Sequence, residues 1–162
     1  GGVDLTPTVL DALGLPSFDG ADGRSFLPVL AGEEQEERDF AFAHINTIAS
    51  KKAYTMRAVI GRDYRYLWNG WHDGKKTFRN ESLSGLSWKA MTEAAKSKPE
   101  IAERVEFYSK RVPEEFYHDR RDPNSLRNLI KAPEQKARVK KLQALLRKHM
   151  ENTGDPQLKK LP

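Results

Sequence analysis

The spacing of apolar residues along this chain changes several times, and each change marks a new element. From Pro133 to about Met150 the apolar positions Val139, Leu142, Leu146 and Met150 fall at i, i+3, i+7 and i+11. That is one stripe of a long helix, with Lys136, Arg138, Lys140, Lys141, Arg147 and Lys148 on the remainder of its surface. Upstream the period drops to two. Met56–Ile60 and Tyr64–Trp68 flank the three residues Gly61, Arg62 and Asp63, which predicts a β-hairpin. Along its second arm Tyr64, Tyr66 and Trp68 share one face, and Arg65 and Leu67 the other. The short runs Asp39–Ile45 and Glu115–His118 add a first and a fourth strand. Tight connections without crossover helices predict antiparallel pairing.

Two further segments complete the pattern. Leu5–Gly14 is a short helix with Thr6 expected at the N-cap, Pro7 at the first helical position, and Gly14 with Pro16 as its stop. It is too short to stand alone and must dock on something. Gly70 to Val112 is a polar insertion, expected to be peripheral, with helices over Trp88–Lys96 and Pro99–Val105. The fold class is therefore α+β, a small antiparallel sheet of about four strands packed against a long C-terminal amphipathic helix.

Charge narrows the partners only slightly. The 28 Lys and Arg against 23 Asp and Glu leave +5, a surface that attracts polyanions. A solvated basic helix accounts for the same charge, and no RNP, helix-turn-helix or zinc-finger pattern favours nucleic acid. The chain has no cysteine, which excludes disulfides and thiolate sites. No apolar run approaches the ~18 residues of a membrane span, and Gly-Gly-Val-Asp at the start carries no secretion-signal pattern. His44, His72, His118 and His149 match no zinc spacing, so no metal is expected here, and His149 suits a helix C-terminus as a dipole partner. Trp68, Trp71 and Trp88 could stack on sugar rings, but packing explains them more simply.

Four segments, in order, resemble the C-terminal third of the sulfatase family. Val3-Asp4-Leu5-Thr6-Pro7-Thr8-Val9-Leu10-Asp11-Ala12-Leu13-Gly14-Leu15-Pro16 is similar to a helix near the end of that family's large domain. Asp22-Gly23-Arg24-Ser25-Phe26-Leu27-Pro28-Val29-Leu30-Ala31-Gly32 resembles the loop after it. Met56-Arg57-Ala58-Val59 with Tyr64-Arg65-Tyr66 looks like its hairpin, and Glu115-Phe116-Tyr117 through Asp122-Pro123 to Asn128-Leu129 like its closing strand and turn. His118 and Ser125 stand where the family usually has acidic residues. His44, the Met-Arg-Ala-Val strand and the long insertion look most like the sulfamidase (N-sulfoglucosamine sulfohydrolase) branch, which acts on heparan-type glycans.

The resemblance implies a catalytic apparatus on a larger α/β domain of the same protein: a formylglycine made within Cys/Ser-x-Pro-x-Arg, and a calcium ion. Neither motif residue set is present, so residues 1–32 read as a remnant of that domain and 33–162 as a C-terminal subdomain, with the insertion at about 70–112. The subdomain alone should hydrolyse nothing, and should wall the substrate pocket and stabilise the large domain. The resemblance places His44 and Asn46 toward a sulfated glycan substrate, although both could simply leave the strand into solvent, and Arg57 could pair with a glycan sulfate or carboxylate or with a neighbouring acid. The exposed N-terminal helix is expected to lean on the large domain or, without it, to self-associate. A periplasmic, extracellular or lysosomal location is expected for the parent. The competing reading is a self-standing basic module that binds sulfated glycan or nucleic acid.

Overall fold

In the computed structural model, which describes residues 1–48 and 51–162, helix α1 spans Leu5–Ala12 and follows a single 3₁₀ turn over Gly2–Asp4. The helix thus begins earlier than Thr6 predicts, with Asp4 at the N-cap. Thr8 does the polar work instead: its hydroxyl donates to the Asp4 carbonyl at 2.7 Å and accepts the Phe26 N–H at 3.0 Å. Asp4 is buried, taking the Arg24 N–H on Oδ1 and the Arg38 guanidinium on Oδ2. A Cβ on Gly23 would come within 2.2 Å of the Val3 carbonyl oxygen, so only glycine lets this loop lie against the start of the helix. The end is as expected. Gly14 takes φ +66°, and the Leu15 and Gly14 N–H groups return to Leu10 and Asp11, a Schellman cap. A second short helix, α2, covers Leu27–Leu30. These elements belong to one compact unit, residues 1–41; residues 42–162 form another.

The second unit is built on a sheet of β1 (Ala41–Thr47), β2 (Ala53–Ile60), β3 (Tyr64–Trp68) and β4 (Glu114–His118), in that order. β2 and β3 pair antiparallel with Val59 opposite Tyr66, and β3 and β4 with Tyr66 opposite Phe116. The register puts Val59, Tyr66 and Phe116 on one face, all fully buried. Against that face lies α5, Lys136–Asn152, burying Val139, Leu142, Leu146 and Met150. The predicted stripe is the observed one. Gln143 of α5 and the Tyr66 hydroxyl both donate to Glu114 Oε1, which pins the helix to the sheet through a polar contact at its margin. Burial and the neighbouring Glu114 carboxylate push the Tyr66 phenol above its ordinary range.

The two edges of the sheet differ. The outer edge of β4 is closed, because Phe116 N–H donates to Asn128 Oδ1 and Leu129 N–H to the Phe116 carbonyl. All seven residues of β1 are exposed. Between β3 and β4 run α3 (Leu86–Ala94) and α4 (Pro99–Lys110). Trp71, at the start of that segment, is buried with its ring edge-on to Tyr54 at 5.1 Å and stacked near Phe78 at 5.5 Å. Among the described residues, no helix is long and apolar enough to cross a membrane.

Candidate functional site

His44, Asn46 and Arg57 all line one cleft of about 270 Å³, beside the C-terminal end of α5. The first two project from β1, where alternation sends them to the same side. Both are exposed. The strand runs to Thr47, two residues past the predicted end, so His44 sits in mid-strand and Asn46 near its close.

Arg57 lies deeper, at 4% exposure. Its Nε donates to Asp155 Oδ2 at 2.5 Å and its Nη2 to Oδ1 at 3.0 Å, while Nη1 donates to the carbonyls of Ile45 and Met56. All three guanidinium nitrogens are therefore engaged within the protein. Asp155 is delivered by the helix terminator: Gly154 takes φ +61°, and the Asp155 N–H returns to the Met150 carbonyl at 2.8 Å. The hydrogen bond from Arg57 holds the Asp155 carboxyl below its usual range against the opposing effect of burial.

A fourth cleft residue, His149 of α5, escaped sequence reasoning except as a dipole partner. Its ring stacks on Phe42 of β1, with centroids 3.9 Å apart and planes 3° from parallel. Burial pushes its pKa below the ordinary value, and nearby His44 adds to that, while Asp155 opposes it. The signal that could have found it was weak: an imidazole one residue before the last position of the apolar stripe.

A second cleft of about 400 Å³ lies on the opposite face of the sheet, under α4. Its floor includes Met56, Ala58 and Leu67, with Phe107 and Arg104 of α4 as a wall. Deep within it Glu115 is fully buried yet satisfied, accepting from Arg111 at 2.6 and 3.0 Å, Asn69 at 2.6 Å and the Tyr117 hydroxyl at 2.7 Å. A buried carboxylate with that many donors is a structural anchor. Burial raises the Tyr117 phenol, and the Glu115 charge raises it further.

What these clefts offer is recognition: an exposed imidazole and amide, a second imidazole, and an anchored ion pair. The formylglycine pattern does not fit the chain. Cysteine is absent, and the best serine approximation, Ser97-Lys98-Pro99-Glu100-Ile101, ends in Ile where the pattern needs Arg. Nor do the residues fit calcium, since among the described residues no three His, Asp or Glu gather as a ligand set.

Comparison with known proteins gives a fold. No family description and no curated protein matches this sequence. Solved structures do. BT4656, solved in complex with its substrate D-glucosamine-2-N,6-O-disulfate, superposes with a TM-score of 0.61 at 16% identity, over 94% of this chain and 24% of its own. BT1596, a 2-O glycosaminoglycan sulfatase, gives 0.63 at 21% identity, over 98% of this chain and 26% of its own. A phosphonate monoester hydrolase from Silicibacter pomeroyi gives 0.55 at 15% identity, over 96% of this chain and 26% of its own. This chain therefore spans about a quarter of the length of the structures it resembles, and at these identities the likeness is one of fold.

Proposed function

We propose that this chain is the C-terminal subdomain of a sulfatase, of the sulfamidase branch, which walls the substrate pocket and carries no catalytic chemistry of its own. The observation that supports it best is coverage. Nearly the whole chain superposes on about a quarter of a glycosaminoglycan sulfatase, while the sequence resemblance independently runs through four ordered segments. On this reading the remaining three quarters belong to a catalytic domain of the same protein. That domain supplies the formylglycine and the calcium, which together provide the nucleophile and the charge for sulfate transfer.

The residues of this chain bind and orient. His44 and Asn46 offer an imidazole and an amide to sugar hydroxyls or a sulfate oxygen. Arg57, locked to Asp155, holds the back of the cleft in place behind the two. The substrate is an N-sulfated, heparan-type glucosamine.

The experiment is kinetic and uses the full-length enzyme. Replacing His44 or Asn46 by Ala should lower kcat/KM roughly 2- to 12-fold, the effect of one hydrogen bond of ~0.5–1.5 kcal/mol. Unchanged kinetics in both variants would remove the cleft from the substrate path. Because the fold is shared with a phosphonate monoester hydrolase, the assay includes a phosphonate monoester. Preference for it over N-sulfoglucosamine and sulfate esters would overturn the sulfatase assignment.

A further inference from the structure

We propose that the cleft beside the end of α5 is a proton-gated anion site, in which His44 and His149 together take a sulfate group once both imidazoles are protonated. The inference rests on the substrate-contact reading above and sharpens it by naming His149 and a pH condition.

Among the described residues, the charged and titratable groups facing this cleft are four: His44 from β1, Arg57 from β2, His149 from α5 and Asp155 just beyond α5. With both imidazoles neutral, Arg57 and Asp155 cancel, and the cleft carries no net charge. With both protonated it carries two positive charges at its mouth and rear wall. Histidine is the side chain that makes this change between about pH 5 and 8. Arg57 has committed four of its five N–H groups to Asp155 and to the carbonyls of Ile45 and Met56, and at 4% exposure the guanidinium has little left to offer a ligand. The anion's partners must therefore be the imidazoles, with the Asn46 amide as a neutral donor.

The geometry around His149 supports this role. One face of the ring is covered by Phe42, which fixes its plane, and the protonated ring can offer an anion its N–H edge. The negative end of a helix would normally repel an anion. Here it is partly quenched, because Thr153, Gly154 and Asp155 N–H groups occupy the carbonyls of His149, Glu151 and Met150. Burial disfavours the charged imidazole in the empty cleft, and a bound anion would reverse that penalty, so ligand and proton should bind together. Inorganic sulfate and the sulfate ester of an N-acetylated sugar keep their charge across this range, so any pH dependence of their binding comes from the protein.

The test is an NMR titration of the whole chain with N-acetyl-D-glucosamine 6-sulfate, inorganic sulfate and unsulfated N-acetyl-D-glucosamine. The sulfated sugar and sulfate should bind roughly tenfold tighter near pH 5 than near pH 7.5, the scale expected for two added charges in a partly exposed site. Unsulfated N-acetyl-D-glucosamine should show no such change. His149→Phe keeps a ring against Phe42 but cannot titrate. It should fold as the parent does and lose most of the pH dependence, as should His44→Gln. Equal affinity of the sulfated sugar at both pH values would overturn the gate and leave the substrate-contact reading intact. Absence of binding at both would likewise overturn the gate, while the full-length kinetics decide the substrate-contact reading. Proton-linked sulfate binding alongside unchanged kinetics in the full-length His44 and Asn46 variants would uphold the gate and overturn the catalytic reading.

Discussion

Arg57 on the second strand and Asp155 just past the last helix form a two-point ion pair across 98 positions of sequence, with Nε–Oδ2 at 2.5 Å and Nη2–Oδ1 at 3.0 Å. Both side chains are withdrawn from solvent, at 4% and 13% exposure. Because Nη1 also reaches the Ile45 carbonyl, this one guanidinium fastens the exposed strand β1, the strand β2 and the terminus of α5. Asp155→Ala would leave a buried cation without its counter-ion. The expected loss is about 3 kcal/mol, read from urea unfolding. A variant as stable as the parent would show that the two carbonyl contacts suffice.

Acid should weaken the fold through this same corner. Arg57 holds Asp155 below its usual carboxylate value, so the unfolded chain takes up that proton first, and the pair's contribution is lost as pH falls through the folded value. His149 is likewise held below its ordinary 6.5. Between its folded value and 6.5 the unfolded state binds more protons, so stability falls as pH drops through that interval. Melting temperature should decline from pH 7.5 toward pH 5, and less steeply in His149→Phe. Equal slopes would mean that the imidazole is not desolvated in solution.

Leu146 sits at 1% exposure in the middle of the α5 stripe. Leu146→Ala should lower stability by ~2–5 kcal/mol, whereas Lys140→Ala on the exposed side should stay within ~0.5 kcal/mol. Similar melting of both variants would place the stripe outside the core.

The α5 stripe, the hairpin and the strand faces were legible because each rests on a local period: Val139, Leu142, Leu146 and Met150 on one, Tyr64, Tyr66 and Trp68 on another. The start of α1 lies two residues before the one Thr6 predicts, with Asp4 at the N-cap, because the contacts that fix it come from a loop 18 to 20 residues away, through the Arg24 N–H on Asp4 and the Phe26 N–H on Thr8. The cleft was half visible. His44, Asn46 and Arg57, named from the sequence as candidate substrate contacts, line one cleft, but the stack of Phe42 on His149 and the grip of Arg57 on Asp155 join distant segments. No spacing rule encodes such pairs. They depend on the register of β1 beside β2 and on where a glycine ends the last helix.

The chain by itself should show no turnover of an aryl sulfate or an N-sulfated glucosaminide. It lacks cysteine, a complete Ser-x-Pro-x-Arg sequence and, among the described residues, a cluster of acidic ligands. Hydrolysis above a heat-treated control by the purified protein would refute the division of labour proposed above.

Helix α1 carries an apolar stripe that is exposed among the described residues. Leu5, Val9 and Leu13 fall four residues apart and remain 59%, 49% and 67% exposed, while Leu10 on the neighbouring face is half-buried. Residues four apart share one side of a helix, so the three make a continuous patch rather than scattered surface leucines. On the proposed function this patch belongs against the catalytic domain. In the chain alone it should find a second copy. Three side chains are few against the ~800 Å² per partner of a stable interface, so the association should be weak, with Kd in the range of ~0.1–1 mM. Sedimentation across that concentration range should show a reversible dimer. Leu13→Lys should abolish it without changing the melting of the sheet unit, because that unit, residues 42–162, has its own core. A chain that stays monomeric throughout, or a dimer indifferent to Leu13→Lys, would mean that α1 is not the adhesive face.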